Sequence, residues 1–203
     1  MRLQLEYMSL PIFRDITRQI VAERVSVYRS MFFNKPAAAE PEREGGVVIN
    51  WHQDGHPIAG WGLDIDPKIT IWTALDDCTI ENGALQIIPG SHKFPISEQG
   101  DQLNVQERVA HAPVEKRRFV LLKRGEVVVL HNWCLHRSET NFTDSPRRGF
   151  SVCYIDSATK IRGQSGGGTD SATGLWPQVF PDFVPVDHDD DVVRHVTDTR
   201  SKL

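Results

Sequence analysis

A histidine and an aspartate two residues apart, His52 and Asp54 in the run WHQDG, are the residues of this chain best suited to chemistry. They follow the apolar run Val47-Val48-Ile49. In an extended strand residues i and i+2 project to the same face, so an imidazole nitrogen and a carboxylate oxygen converge on one point. That makes two-thirds of a metal site. A second histidine would complete it, and the segment HNWCLHRSETN after the apolar strand Val127-Val128-Val129-Leu130 offers His136, with His131 as its competitor. Two imidazoles and one carboxylate on one face of an octahedron leave three positions open, an arrangement suited to non-haem Fe(II) and O2. Taken alone, His-x-Asp is a weak signal in a chain with eight histidines; the surrounding segments decide its weight.

The elements that must position these residues are short strands. Apolar positions at Ile12, Phe13, Ile16, Ile20, Val21, Val25 and Tyr28 recur at spacings of three and four, which predicts an amphipathic helix over 12–29 packed on a sheet. SMFFN at 30–34 reads as a short strand, and PAAAEPEREGG at 36–46 as a polar loop. After WHQDG, residues 56–68 form a Gly- and Pro-rich loop at the mouth of the site, the kind of segment that holds or admits substrate. Strands are predicted at 69–75, at 84–88 and at 150–155, with a hairpin joining 119–122 to 126–130 through Arg124-Gly125. Gly83 and His92 sit in turn chemistry, and 93–117 reads as a long polar connection. One helix followed by many short strands predicts a mainly β fold, a double-stranded β-helix or cupin-like jelly roll with an N-terminal helix packed on it. With 203 residues, the expectation is a single domain over 1–203, its core at about 30–156 and its tail, 157–203, partly flexible.

Composition narrows the function classes. Charged residues are 25% of the chain and the formal net charge is -4, so the basic footprint of a nucleic-acid binder is missing. No apolar run approaches the roughly 20 residues that cross a bilayer, and MRLQLEYMSL lacks the pattern of a signal peptide, so the chain reads as cytoplasmic with no membrane partner. Cys78, Cys134 and Cys153 show no CxxC spacing and read as buried free thiols. The acidic run at 187–191 reads as solvated charge.

Three ordered blocks carry a resemblance: WHQDG, ITIWTALDDCTIENGALQIIPGSHK, and GEVVVLHNWCLHRSETNFTDSPRRGFSVCY. Together they closely resemble the phytanoyl-CoA dioxygenase family of Fe(II)- and 2-oxoglutarate-dependent oxygenases. The resemblance covers roughly 30–156. It implies that His52, Asp54 and His136 bind iron, since His136, Ser138 and Asn141 reproduce the family's H-x-S-x-x-N context. It further implies that Arg147, eleven residues after that histidine, holds 2-oxoglutarate, and that Met31 before N-K-P, Trp72 in W-T-A and Ser138 line the cosubstrate pocket. Arg148 competes with Arg147, and because strand side chains alternate only one of the two can face inward. A guanidinium suits the task as a permanently charged planar fork that grips a carboxylate with two donors. Gln53, between the two ligands, is associated in the family with substrate, although an ideal strand turns it to the opposite face.

The activity implied is hydroxylation of a small organic substrate coupled to conversion of 2-oxoglutarate and O2 to succinate and CO2, with ascorbate as a stimulant. Asp54 argues against halogenation, which needs that ligand position open for halide. The alternatives are a non-catalytic or truncated metal-binding jelly-roll module and a cupin-type metal-dependent isomerase. Family members carry more chain ahead of the helix, so the expectation is either a minimal version or an N-terminal truncation.

Overall fold

Strand pairing, rather than helical periodicity, decides where the N-terminal helix stops. In the computed structural model, which describes residues 2–37, 48–54, 69–93 and 113–159, helices α1 (Arg2–Met8) and α2 (Pro11–Ile20) are followed at once by strand β1 (Val25–Lys35). The helix expected over 12–29 therefore ends at Ile20, and the short strand expected at 30–34 is the middle of an eleven-residue one. Val25 and Tyr28 fit the helical repeat, but Val25, Val27 and Tyr28 are also strand formers. Pairing with the C-terminal strand from Val25↔Asp156 to Lys35↔Arg147 outweighs the local preference. Pro11 opens α2 at a position where its missing N–H costs nothing.

The remaining strands are β2 (Ile49–His52), β3 (Ile69–Ala74), β4 (Leu85–Ile87), β5 (Arg118–Val120), β6 (Val127–His131), β7 (His136–Ser138) and β8 (Arg147–Asp156). They form two antiparallel four-stranded sheets, ordered β1-β8-β3-β6 and β2-β7-β4-β5. This is the jelly roll expected. The hairpin expected over 119–130 is not formed: β5 pairs with β4 in the second of these sheets, whereas β6 pairs with β3 in the first. The tight turn at Gly125, with φ of +87°, instead carries the chain from one sheet to the other. The bond from Cys78 N–H to the Leu122 carbonyl (2.7 Å) and that from Gly125 N–H to the Ala74 carbonyl (2.8 Å) fasten the crossing.

Two layers of core result. Phe150, Val152 and Tyr154 of β8 join Ile71, Val25 and Phe13 beneath the helices. The Tyr154 hydroxyl donates to the Met8 carbonyl (2.9 Å), and Tyr7 shares a 2.7 Å hydrogen bond with Thr73, so the helical cover is pinned as well as packed. Between the sheets lie Trp72, Ala74, Cys78, Ala84, Leu85 and Leu130. All three cysteines are buried free thiols. The loop at 56–68, the Gly- and Ser-rich segment at 163–174, the acidic run, most of 93–117 and the loop beyond Ala37 lie outside the described residues.

Candidate active site

His52 ends β2, and Asp54 follows in a turn just beyond it rather than in the strand itself. His136 opens β7 and pairs directly with His52 across the ladder. It is thus delivered by a strand of its own, after a turn that begins where β6 ends at His131. One ligand atom from each of His52, Asp54 and His136 lies within 4.8 Å of the others. Asp54 Oδ1 is 3.6 Å from His52 Nε2 and Oδ2 is 4.0 Å from His136 Nε2. Small side-chain rotations are enough for three atoms at such spacing to share one ion.

Both rings are also oriented for it. His52 Nδ1 lies 2.8 Å from the Asn50 carbonyl and His136 Nδ1 lies 2.9 Å from that of Cys134. A carbonyl only accepts, so each Nδ1 carries a proton, and in a neutral ring Nε2 is then the nitrogen that presents a lone pair to the centre. Burial, the largest cause, lowers the His136 pKa to about 4 and keeps that ring neutral. His131, the competitor, stands apart: its Nδ1 accepts from the Trp133 N–H (3.0 Å) and its ring packs against His92. Gln53 is buried facing the other way, its amide nitrogen donating to the Trp133 carbonyl, and so ties the Asp54 turn to the segment before His136.

The β1-β8-β3-β6 sheet presents the other half of the site. Strand register sets Arg147 opposite Lys35, then Gly149 opposite Phe33 and Ala74, and then Met31, Ser151 and Trp72 in one cross-strand row. Arg147 faces inward and is 2% exposed, while Arg148 faces outward onto Asp76. The Arg147 Nη2 donates to the Gly83 carbonyl (2.6 Å), but its Nε is buried with no partner among the described residues. The Ser138 hydroxyl, on the same face of β7 as His136, is likewise buried without a partner. Each such group costs on the order of 1–3 kcal/mol unless a ligand satisfies it. An oxyanion with two oxygens suits both, and the residues present therefore fit a carboxylate cosubstrate as well as a metal.

Trp72 lies over Gly149 and under the Arg147 guanidinium, which is 5.5 Å from the ring centroid. A Cβ on Gly149 would overlap the indole, so only glycine lets Trp72 take this place. Gly83 is held to glycine by a φ of +76° and by the Glu139 and Thr140 carbonyls packed against it, and its own carbonyl anchors Arg147. Asn141 donates to the carbonyls of Lys35, Pro36 and Ser145, clamping the end of β1 to the turn before Arg147. Lys35, 4% exposed, has its pKa lowered to about 8 by burial and by the Arg147 charge. Met31, 39% exposed, forms the open edge of its row.

Sequence reasoning missed Arg29, Lys35 and Gly149. Lys35 and Gly149 share strand parity with Met31 and Arg147, so alternation could have found them. Arg29 was hidden by the helix read through it.

The interior of this jelly roll thus carries a His/Asp/His group together with an arginine Nε and a serine hydroxyl left without partners among the described residues. The phytanoyl-CoA dioxygenase (PhyH) family profile matches residues 6–149, and the chain belongs to that family. A mouse protein named phytanoyl-CoA dioxygenase domain-containing protein 1 is 25% identical over 195 residues, which are 85% of this chain and 60% of that protein. This chain thus spans about three-fifths of that relative. Among solved structures, the nickel complex of the non-heme monooxygenase ThoJ is 26% identical with a TM-score of 0.60, covering 84% of this chain and 61% of that one. The epimerase SnoN, solved with Fe3+, alpha-ketoglutarate and nogalamycin RO, shares the fold at 21% identity and a TM-score of 0.67, over 87% of this chain and 71% of its own. Among the described residues no helix is long and apolar enough to cross a membrane.

Proposed function

We propose that this chain is the core of an Fe(II)- and 2-oxoglutarate-dependent oxygenase that hydroxylates a small organic substrate and releases succinate and CO2. The observation that carries the reading is a pair of buried donors without partners among the described residues, Arg147 Nε and Ser138 Oγ, in the same two-sheet interior as the triad. A bare metal-binding module has no need of them, nor has a cupin-type isomerase that uses no 2-oxo acid.

In this reading His52, Asp54 and His136 hold the iron on one face and leave its other positions to ligands. Iron bound there supplies the oxygen activation and the oxidation of both substrates. The chain supplies position. Arg147 and Lys35 fix the far carboxylate of 2-oxoglutarate, and Ser138 donates to it. Trp72 and Met31 wall the cosubstrate off from water. The carbonyls of Asn50 and Cys134 keep the imidazole protons on Nδ1, away from the metal.

The test is succinate release from purified protein supplied with Fe(II), 2-oxoglutarate, ascorbate and O2 across a panel of small molecules. The expected result is low uncoupled turnover that rises with a hydroxylated substrate. Epimerised, cyclised or halogenated product would overturn the hydroxylase assignment, and failure to bind 2-oxoglutarate would overturn the oxygenase one.

A further inference from the structure

Arg29 occupies the inner face of β1 one row beyond Met31, beside Cys153 and Thr70. A bulge between Val27 and Arg29 lies immediately before it. Its Nη2 is 3.5 Å from Asp54 Oδ1, a loose ion pair outside hydrogen-bond geometry, and its Nε is buried with no partner among the described residues. The floor beneath it is saturated: Thr70 donates to Asn132 (2.8 Å) and Asn132 donates to the Cys153 sulfur (3.2 Å). Arg29 therefore has donors left over beside the metal end of the site, and none of the described groups beneath it takes them up.

Charge sharpens the point. The inward-facing rows of β1 and β8 carry Arg29, Lys35 and Arg147, and among the described residues the carboxylate paired with Arg29 is that of Asp54. One carboxylate cannot neutralise both Arg29 and a divalent ion. Loading the triad leaves the guanidinium in need of another anion a few ångströms away, and a planar fork with a free Nε–H is shaped for a carboxylate.

We propose that Arg29 is an oxyanion-recognition residue at the metal end of the site and binds a carboxylate held beside the triad. The inference rests on the metal and 2-oxo acid reading above. The carboxylate has two possible sources, the metal-end carboxyl group of 2-oxoglutarate or an acidic group of the substrate. Either way, Arg29 and Arg147 bracket the Met31–Ser151–Trp72 row, one cation for each end of the bound molecules.

The assignment predicts effects of opposite sign, which an arginine that merely props Asp54 would not give. A fixed positive charge opposes a metal ion and favours an anion. In Arg29→Gln the affinity for Mn(II) alone, followed by electron paramagnetic resonance of the free ion, is expected to stay level or rise. In the same variant, either the 2-oxoglutarate Kd of the Mn(II) protein rises about 10-fold, or that Kd is unchanged and butyrate loses the proton relaxation it shows on the Mn(II)–2-oxoglutarate complex. The first outcome makes the cosubstrate the source and the second makes it the substrate. Arg29→Lys, which keeps the charge, should recover most of the lost affinity and guards against a folding defect in the glutamine variant. Mn(II) affinity falling together with 2-oxoglutarate affinity would overturn the assignment in favour of a propping role, as would no change in either anion. Wild-type protein that binds neither Mn(II) nor 2-oxoglutarate would remove the oxygenase reading itself, whereas wild-type binding indifferent to residue 29 removes only this inference.

Discussion

Arg147 and Arg148 are neighbours on β8 and differ in every other respect. Arg148 points outward and is fully engaged, its Nε and Nη2 on the two oxygens of Asp76 at 2.8 and 2.7 Å. Arg147 points inward, is almost wholly buried and keeps an Nε with no acceptor. The contrast extends along the strand. On the outer face Phe150, Val152 and Tyr154 pack under the helices, and the Tyr154 hydroxyl finds the Met8 carbonyl. On the inner side of the two sheets Arg29 Nε, Ser138 Oγ and Arg147 Nε are buried and have no partner among the described residues. A face built for stability satisfies its polar groups internally, and a face built for ligands leaves them to be satisfied by what it binds.

This contrast can be broken by substitution on either side. The largest effect belongs to the triad: His136→Ala should abolish measurable metal binding, whereas His131→Ala, whose ring is held by the Trp133 N–H and His92, should leave it intact. Metal retained by the first variant and lost by the second would reverse the ligand assignment. On the outer face, Phe150→Ala removes a ring packed against Tyr7 and Phe32 and should cost about 3–5 kcal/mol in chemical denaturation. It should leave the 2-oxoglutarate Kd of the folded fraction unchanged, and a large change in that Kd would deny the division of labour between the faces.

Gly149→Val tests the inner face without touching a donor. Its side chain must displace the Trp72 indole, so overpacking of about 1–3 kcal/mol is expected together with weaker 2-oxoglutarate binding. Undiminished binding would remove Trp72 from the cosubstrate wall. The smallest effect concerns Lys35, whose pKa is lowered to about 8 while the unfolded chain titrates near its ordinary 10.5. The unfolded state then binds more protons between those values, so this group's unfavourable contribution to stability fades as pH rises from about 8 to 10.5. A carboxylate favours the protonated amine, and 2-oxoglutarate affinity should be full below about pH 8 and fall by on the order of threefold to tenfold toward pH 9. Lys35→Arg should flatten that profile; the same slope in the variant would assign it to another group.

Much of this was legible in the sequence because strand alternation and motif spacing are local. Strand parity allowed only one of Arg147 and Arg148 to face inward and the spacing carried by the family resemblance chose Arg147; the structure turns Arg147 inward and Arg148 outward. What depends on pairing between distant segments was not legible. The helix read through Arg29 failed because ten cross-strand partners on β8 outweigh a short helical repeat. The hairpin read at 119–130 failed because nothing in its turn reveals that its two arms join different sheets. The glycine at 149 gained its meaning only once Trp72 lay across it.

The most direct test of the account is a 2-oxoglutarate titration of the anaerobic Fe(II) protein in wild type, Arg147→Ala and Arg148→Ala. Losing the buried charged partner at Arg147 should cost on the order of 2–5 kcal/mol, a Kd at least ~30-fold higher, with iron affinity nearly unchanged. Arg148→Ala removes an exposed ion pair on the far face and should stay within about threefold of wild type. Equal losses in the two variants, or a loss confined to Arg148→Ala, would contradict the assignment of the inner face of β8 to the cosubstrate.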